Sequence, residues 1–505
     1  MLPEQVDLLV VGGGINGAGV ARDAAGRGLS VLLVERDDLA SHTSSWSTKL
    51  VHGGLRYLEH YEFRLVRESL KEREVLLEAA PHLVRPMRFV LPHHAELRPF
   101  WLLRLGLFLY DHIGGRKHLP ATKTLDLRGT PLGAPLQDRF TRGFEYTDCS
   151  VDDSRLVAAC ALDASERGAV IATRTALTGG RRADGGWICT VTDAAGEHAV
   201  RARAVVNAGG PWVTDLLSGF SGAKADKRIR LVKGSHIVTD ALYEHDRAYI
   251  FQNADERIVF AIPYIHGGTL VGTTDEPYEG DPAKARISAE ETQYLCEAVS
   301  EYLARPVTPA DVTSTYSGVR PLYDDLTAED AQAVTRDYAF DVDRGEDEPL
   351  PGDGETAPLL SIFGGKLTTF RKLAEHAMAE LSGELGGGGA WTRGAALPGG
   401  EMGYEGWDAW KAGVAARFAF LEPAILDRLC AAYGTRIERV LGDASSMEAL
   451  GRDFGHGLSE REVAYLREAE FARTAEDVLD RRTRLGLRFS EGERAALQAH
   501  MDGGR

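Results

Sequence analysis

The feature that most constrains this chain is a glycine-rich turn near its N-terminus. An apolar run at residues 7–11 predicts a buried strand, and Gly12, Gly14 and Gly17 follow it in a G-x-G-x-x-G pattern. A helical segment and a second apolar strand, residues 31–34, complete a βαβ unit. This context predicts a parallel sheet in which the turn and the helix N-terminus face the pyrophosphate of a dinucleotide.

Glu35 ends the second strand of this unit. A carboxylate at this place accepts hydrogen bonds from both ribose hydroxyls, which favours FAD or NAD over NADP. The alternative is a glycine-rich turn that binds no ligand. It leaves the following helix and the acidic residue without a role, and we therefore favour dinucleotide binding.

Composition restricts the remaining classes of protein. The 505 residues are 44% hydrophobic, which is typical of a globular chain, and their net charge of −17 argues against broad nucleic-acid binding. The five cysteines form no C-x-x-C pair, so we predict neither a disulfide framework nor a metal site, and we expect a reducing compartment. The N-terminus has no basic, signal-like region, and no apolar run approaches the ~20 residues of a membrane span. A soluble or peripheral protein is expected.

Further along the chain the pattern changes twice. Strand-like segments with alternating apolar residues cluster between residues 187 and 272 and predict an antiparallel sheet beside the nucleotide-binding layer. Four consecutive glycines at 386–389 read as a linker, and the composition beyond about residue 400 predicts a small helical domain. Capping-box patterns predict helix starts at Ser288, Ser459, Thr474 and Ser490.

Two further runs have a distinctive composition. Residues 100–113 are densely apolar, interrupted by Arg104 and Asp111. We favour a helix buried in the core, with an amphipathic helix at a membrane surface as the alternative. Residues 341–358 are acidic and rich in Pro and Gly, which predicts a solvated surface loop.

Several longer motifs occur in a fixed order. They are GGGINGAG at 12–19, TSSWSTKLVHGGLRYLE at 43–59, GFEYTDC at 143–149, YSGVRPL at 316–322 and FGGKLTT at 363–369. Together they closely resemble the FAD-dependent glycerol-3-phosphate dehydrogenases, the aerobic and quinone-linked enzymes. The resemblance covers nearly the whole chain.

The resemblance implies an α/β fold, that of an α+β two-domain flavoprotein with an additional C-terminal helical domain. A Rossmann-like FAD-binding domain is joined to an antiparallel substrate domain like that of D-amino-acid oxidase. The flavoprotein region is expected over residues 1–390 and the helical domain over 391–505. The FAD-binding segments are expected at about 1–85, 150–225 and 310–385, and the substrate-domain segments at about 86–149 and 226–309.

Three polar or glycine-rich stretches have the chemistry of a cofactor site. A Ser/Thr-rich loop follows Glu35, the turn N-A-G-G-P-W occupies 207–212, and F-G-G-K at 363–366 precedes a helix whose N-terminus favours negative charge, as on a reduced flavin. From the residues alone, ordinary polar loops and strand-to-helix turns are the alternatives. With the resemblance, the expected FAD contacts are Gly12, Gly14, Ile15, Asn16, Gly17, Glu35, Arg36, Thr43, Ser44, Ser45, Ser47, Thr48, Lys49, Gly209, Gly364, Gly365, Lys366, Leu367 and Thr368.

Oxidation of a secondary alcohol requires loss of the hydroxyl proton and of a hydride. A histidine suits the proton step, and His52 is the favoured base, with His236 as its rival. A phosphomonoester requires several cations. We expect a catalytic set of His52, Arg320 and Lys366, and a substrate-binding set of Arg56, Tyr57, His236, Arg320, Arg336 and Lys366.

The activity that the resemblance implies is oxidation of sn-glycerol 3-phosphate to dihydroxyacetone phosphate with FAD, followed by transfer of the electrons to a quinone. An oxidase that releases H₂O₂ is the alternative, and a non-catalytic flavin-binding interaction protein is a remote one. The expected location is the cytoplasm, with peripheral contact to the cytoplasmic face of the membrane. A homodimer is common among such enzymes.

Overall fold

The computed structural model describes residues 2–58, 61–221, 223, 228–253, 255, 257–324, 337–345 and 357–503. The strands are β1 Gln5–Val11, β2 Val31–Glu35, β3 Leu50–Val51, β4 Val84–His93, β5 Lys123–Asp126, β6 Arg142–Val151, β7 Val170–Thr173, β8 Ala176–Ala183, β9 Gly186–Asp193, β10 Gly196–Asn207, β11 Arg228–Asp240, β12 Ala248–Gln252, β13 Ile258–Pro263, β14 Gly268–Gly272, β15 Glu276–Pro277, β16 Val312–Asp324, β17 Tyr338–Asp343 and β18 Leu359–Gly364. The helices are α1 Ile15–Gly26, α2 Phe63–Ala79, α3 Phe100–Ile113, α4 Asp153–Glu166, α5 Val213–Leu217, α6 Ala289–Ser300, α7 Phe370–Glu380, α8 Ser382–Leu385, α9 Gly403–Arg417, α10 Pro423–Tyr433, α11 Ile437–Leu441, α12 Glu460–Ala469 and α13 Glu491–Gly503.

The first sheet contains the predicted βαβ unit. Its parallel strands lie in the order β18-β10-β1-β2-β7, with β17 antiparallel at one edge and the β8–β9 hairpin paired to β10. Leu8 and Val10 of β1 face α1, α4 and α7, whereas Leu9 and Val11 face the opposite side. Burial on both faces explains why these strands read as continuous apolar runs.

The second sheet is antiparallel apart from the parallel pair β4–β12 within the described strands. Its order is β15-β11-β14-β13-β12-β4-β6-β3, with β16 paired to β11 and β5 to β6. Helix α6 packs on one face, and α2 and α3 cover part of the other. The helix start predicted at Ser288 is confirmed, because Ser288 and Glu291 form both hydrogen bonds of a capping box, 2.8 and 3.1 Å long.

Helices α9 to α13 form a C-terminal helical domain with its own apolar core. The three remaining helix starts are confirmed, since each predicted residue bonds the backbone N–H three positions later. The second of these helices widens into a π-helical segment, Asp477–Arg482. The predicted fold, a Rossmann-like sheet with an antiparallel sheet and a helical C-terminal domain, is confirmed.

Helix α3 corrects the expectation for residues 100–113. Burial in the core was favoured, but Trp101 is 67% exposed and Phe108 is 48% exposed, and Leu105 and Leu109 are also exposed. Helix α3 is apolar on more sides than the second sheet covers, so part of its apolar surface faces solvent. In the described part of the chain, no helix combines the length and the apolar character needed to cross a bilayer.

The acidic stretch at 341–358 also differs from its prediction where it is described. Residues 341–343 end strand β17, which pairs with β18. Ala357 and Pro358, at the end of the stretch, are buried, and residues 346–356 lie outside the described residues.

Candidate active site

A cavity of about 580 Å³ opens at the carboxyl edge of the parallel sheet. β1, β2, β10 and β18 all end there, and the residues that follow these strands form its floor. The second sheet contributes an opposite wall that includes Ile250, Phe260 and Arg320. Ligands of open α/β sheets bind at this edge because the loops after parallel strands converge there.

The glycine-rich turn shapes one end of the cavity. Gly12 has a φ of +111°, and a Cβ on it would lie 2.5 Å from the Ala208 carbonyl oxygen. A Cβ on Gly17 would lie 1.9 Å from the Gly12 oxygen, so Gly17 allows the helix to pack on the turn and does not line the cavity. Gly12, Gly14, Ile15 and Asn16 do line it.

Glu35 has a second function besides the one predicted. Its carboxylate accepts hydrogen bonds from the backbone N–H of Gly13 at 2.7 Å and of Asp37 at 2.8 Å, and so fixes the turn. Burial raises the pKa of Glu35 in spite of these two bonds. Beside it the Arg36 guanidinium lies over the Trp212 ring, 4.2 Å from its centre. Both Glu35 and Arg36 line the cavity, as does Gly209.

The Ser/Thr-rich loop lies along the cavity, but not all of its residues face it. Thr43, Ser44, Ser47 and Thr48 line the wall, and Ser44 Oγ accepts a hydrogen bond of 3.0 Å from the N–H of Ile15. Ser45 and Lys49 were also expected to contact the cofactor, but the structure does not place them on the wall.

Ser45 is buried and donates to the Ala40 carbonyl. Lys49 is buried and pairs with Asp153 at 2.7 Å. Burial lowers the pKa of Lys49 to about 8, and the nearby Arg484 charge acts in the same direction. These two residues therefore hold the loop from behind.

The segment after β18 forms a part of the floor next to the start of α1. Gly364 and Gly365 both have positive φ, and the Gly364 carbonyl accepts a hydrogen bond of 3.2 Å from Asn16 Nδ2. A helix follows as predicted, although its first turn, Leu367–Thr369, is 3₁₀. The predicted residues of this segment that line the cavity are Gly364, Gly365, Lys366, Leu367 and Thr368.

A histidine and several cations line the same cavity. The predicted residues there are His52, Arg56, Tyr57, Arg320 and Lys366. Lys366 Nζ lies over the Tyr57 ring, 3.9 Å from its centre. The predicted substrate-binding residue Arg336 lies outside the described residues.

Arg320 is held by two residues that sequence reasoning missed. It forms an ion pair with Asp275, and its Nη2 donates to Thr273 Oγ1 at 3.2 Å. Both partners line the cavity. The sequence around Thr273 and Asp275 does not identify them as site residues. They reach Arg320 only through the strand register of the second sheet.

His236 lies behind the wall of the cavity. Its ring is fully buried and stacks on Tyr316 with centres 4.6 Å apart, and its Nε2 lies 3.1 Å from Thr48 Oγ1. Burial, together with the charges of Arg320 and Lys49, holds the pKa of His236 well below its usual range. The structure therefore brings His52, and not His236, to the cavity surface.

Comparison with known protein families agrees with this geometry. The model of the FAD dependent oxidoreductase family matches residues 7–339, and that of the C-terminal domain of alpha-glycerophosphate oxidase matches residues 390–502. The glycerol-3-phosphate dehydrogenase of Pseudomonas aeruginosa is 50% identical over 502 residues, which are 99% of this chain and 96% of that protein. The chain belongs to the FAD-dependent glycerol-3-phosphate dehydrogenase family.

Two further relatives of this family are informative. The D-erythritol 1-phosphate dehydrogenase of Brucella abortus is also 50% identical, over 503 residues that make up 99% of this chain and 98% of that protein. The X-ray structure of the glycerol-3-phosphate dehydrogenase from Bacillus halodurans complexed with FAD aligns with a TM-score of 0.75 and 28% identity. That alignment covers 99% of this chain and 94% of the other.

The cofactor of this family is FAD, and the cavity residues fit it. A Cβ at Gly365 would lie 3.0 Å from Asn16 Nδ2, so the turn has no room for a side chain at position 365. Asn16 Oδ1 is buried and has no hydrogen-bond partner among the described residues, which leaves a polar atom for a ligand to satisfy. The glycine-rich turn and the start of α1 would hold the pyrophosphate, Glu35 the ribose, and residues 364–368 the flavin ring.

Proposed function

We propose that this protein oxidises sn-glycerol 3-phosphate to dihydroxyacetone phosphate and passes the electrons to a quinone. The observation that carries the proposal is the meeting of His52, Arg56, Arg320 and Lys366 in one cavity with the residues that fit FAD. FAD, when bound, accepts the hydride that leaves C2 of the substrate. The residues of this chain supply the remaining steps, which are to bind the phosphate, orient C2 and remove the hydroxyl proton.

The cations recognise the substrate phosphate. A phosphomonoester carries nearly two negative charges, and guanidinium groups bind it through paired N–H donors. Arg320 is positioned for this task because Asp275 and Thr273 fix two of its nitrogen atoms. Arg56 and Lys366 add positive charge to the lining of the same cavity.

His52 accepts the proton from the C2 hydroxyl on a ring nitrogen as the hydride departs. Its backbone N–H donates to Thr368 Oγ1 at 3.3 Å, so the base is tied to the segment that would hold the flavin ring. This contact supports a place for the histidine near the reacting carbon.

A second candidate substrate is D-erythritol 1-phosphate, the substrate named for the Brucella relative, which is as similar to this chain as the Pseudomonas enzyme is. Both compounds present a phosphate and a secondary alcohol. Anaerobic bleaching of the flavin by each compound gives kcat/KM for the reductive step and decides between them. The proposal for glycerol 3-phosphate is contradicted if it bleaches the flavin no faster than glycerol does.

The electron acceptor separates the dehydrogenase from the oxidase. A dehydrogenase reduces a quinone analogue and takes up little oxygen, whereas an oxidase consumes one O₂ and releases one H₂O₂ per substrate. Parallel measurement of quinone reduction and oxygen uptake with the same enzyme distinguishes them. We also expect the homodimer that is common among related enzymes, which light scattering measures.

The exposed face of α3 supports peripheral contact with the cytoplasmic side of the membrane, where a quinone is found. Its exposed apolar side chains are Trp101, Leu105, Phe108 and Leu109. The basic residues Arg116 and Lys117 follow directly and are exposed. Apolar side chains bordered by basic residues favour the lipid interface, although the net charge of −17 opposes wider attraction to anionic lipid.

We expect the double substitution Trp101→Glu and Phe108→Glu to weaken binding to phospholipid vesicles by roughly 10-fold or more, because two apolar side chains lose their burial in lipid. Co-sedimentation with vesicles measures the bound fraction. Leu487→Glu is the matched control, since Leu487 is 50% exposed on the C-terminal domain. Equal loss of binding in both proteins would show that α3 is not the contact surface.

The phosphate contact is tested by Arg320→Ala. Loss of a charged contact worth ~1.5–3 kcal/mol corresponds to a decrease of roughly 10–150-fold in kcat/KM for glycerol 3-phosphate. Arg305→Ala, at a residue with an 82% exposed side chain, is the control and should have parental activity. An Arg320→Ala enzyme within twofold of the parent would place the phosphate elsewhere, and Arg336→Ala is then the next variant.

A further inference from the structure

A long loop between β2 and β3, residues 36–49, forms one wall of the FAD cavity. Within these residues, all of them described, the regular structure is the 3₁₀ turn Thr43–Ser45. Ala40 and Lys49 have positive φ angles of 60° and 62°. Hydrogen bonds within the loop, such as that from Ser45 to the Ala40 carbonyl, join residues close together in the chain, so a loop of this length depends on contacts from outside as well.

The first fixed point of the loop is Asp38. Its side chain is fully buried and accepts hydrogen bonds from Arg481 Nε at 2.7 Å and from Arg482 Nη1 and Nη2 at 2.9 and 2.8 Å. Arg482 also donates to the Glu470 carbonyl. A buried carboxylate with two bonded arginines is well satisfied, and removal of one partner would leave a buried charge.

The second fixed point is at the other end of the loop. Asp153, the first residue of α4, accepts hydrogen bonds from Ser47 Oγ at 2.7 Å and from Lys49 Nζ at 2.7 Å, and it also pairs with Arg484. The side chain of Asp153 is fully buried. Lys49 in turn donates to the Ser45 carbonyl, so this cluster holds residues 45–49 together.

Both fixed points depend on one short stretch of the C-terminal domain. Arg481 and Arg482 end the π-helical segment, and Arg484 follows two residues later. The Arg481 carbonyl also accepts a hydrogen bond of 2.7 Å from Ser154 Oγ, which binds the stretch to the start of α4. The apolar core of the C-terminal domain is separate from that of the FAD-binding sheet. Phe471 does pack against the core of that sheet, but the contacts of residues 481–484 with the loop are ionic.

We propose that residues 481–484 act as a clamp that positions the 36–49 loop for FAD, so that the C-terminal domain contributes to cofactor retention. Arg481, Arg482 and Arg484 are positioning residues, since they act through Asp38 and Asp153. The side chains that they place on the cavity wall are those of Thr43, Ser44, Ser47 and Thr48. The inference concerns FAD binding alone, and its failure would leave the proposed oxidation untouched.

The direct test uses Arg484→Gln, because Arg484 is the clamp residue with the most exposed side chain, at 11%. We expect FAD to leave the diluted holoenzyme roughly 10–100-fold faster, measured as the rise in free flavin fluorescence. Arg484→Lys keeps the charge beside Asp153 and should release FAD within about threefold of the parental rate.

The matched control is Arg428→Gln. Arg428 belongs to the same domain and pairs with the buried Glu462 at 2.6 Å, and it donates to the Gly457 carbonyl, so its contacts lie within that domain. Its loss should lower the thermal midpoint without changing the rate of FAD release. The clamp is refuted if Arg484→Gln and Arg428→Gln lower the thermal midpoint equally and both release FAD at the parental rate.

Hydrogen exchange on the unmodified chain provides a second measurement that does not depend on a variant that folds. Removal of FAD should speed exchange in residues 477–484 as well as in 36–49, because coupling between the two sites is reciprocal. Residues 423–469, which span α10 to α12, should not change. Faster exchange in 36–49 alone, or an equal increase throughout the C-terminal domain, would contradict a clamp at 481–484.

Discussion

Replacing Gly14 by Val is expected to yield a folded protein that purifies without FAD. The nearest described atom to a Cβ at this position is Ser44 Oγ at 3.1 Å, so the protein itself has nearly enough room for a side chain. The branched side chain would instead fill the space in front of α1 where the pyrophosphate meets free backbone N–H groups. The flavin absorbance per protein measures the occupancy.

Gly413→Val is the control for Gly14→Val. Gly413 is exposed in α9, and a Cβ there meets no atom within 4 Å among the described residues. Valine has a higher helix propensity than glycine, so the substitution should not destabilise α9, and the flavin content of the variant should be parental. Full flavin occupancy in Gly14→Val would show that the turn does not contact the cofactor.

The parts of the fold that the sequence predicted well depend on local patterns. The βαβ unit, the capping box at Ser288 and the three helix starts after residue 450 are each determined by residues close together in the chain. The location of the cavity follows from one topological rule, because strands of a parallel sheet end at a common edge. Most predicted cofactor residues line that edge for this reason.

The parts that could not be predicted depend on distant partners. Lys49 has the polarity of a cofactor residue, but its partner Asp153 is 104 positions away and turns it from the cavity. The ion pair between Arg320 and Asp275 arises from the register of the second sheet. In α3, hydrophobicity alone does not distinguish a buried helix from one that faces lipid, since both need apolar residues.

The two histidines illustrate the same limit at the reacting centre. Sequence reasoning left His52 and His236 as rival bases, because both are near glycines and cations in the chain. The structure separates them by exposure to the cavity and by burial. Burial holds the pKa of His236 well below its usual range, which favours its neutral form and argues against it as the source of an acid limb near neutral pH.

His52→Gln is expected to slow flavin reduction by ~10²–10⁴-fold, the usual cost of losing a general base. In the parent the rate should fall at low pH, because a protonated imidazole cannot accept the hydroxyl proton. The glutamine variant cannot titrate, so its residual rate should lack this limb. Anaerobic bleaching by saturating glycerol 3-phosphate across pH isolates the step from the acceptor.

The substrate phosphate also titrates, with a second pKa near 6. The base is therefore identified by comparing the pH profiles of the parent and the two histidine variants. Any limb from the substrate appears equally in the parent, in His52→Gln and in His236→Gln. His236→Gln should retain the limb of the parent even if the loss of its contact with Thr48 slows the reaction. If instead His236→Gln removes the acid limb and His52→Gln keeps it, the proton leaves the substrate through the buried histidine, and His52 only orients the alcohol.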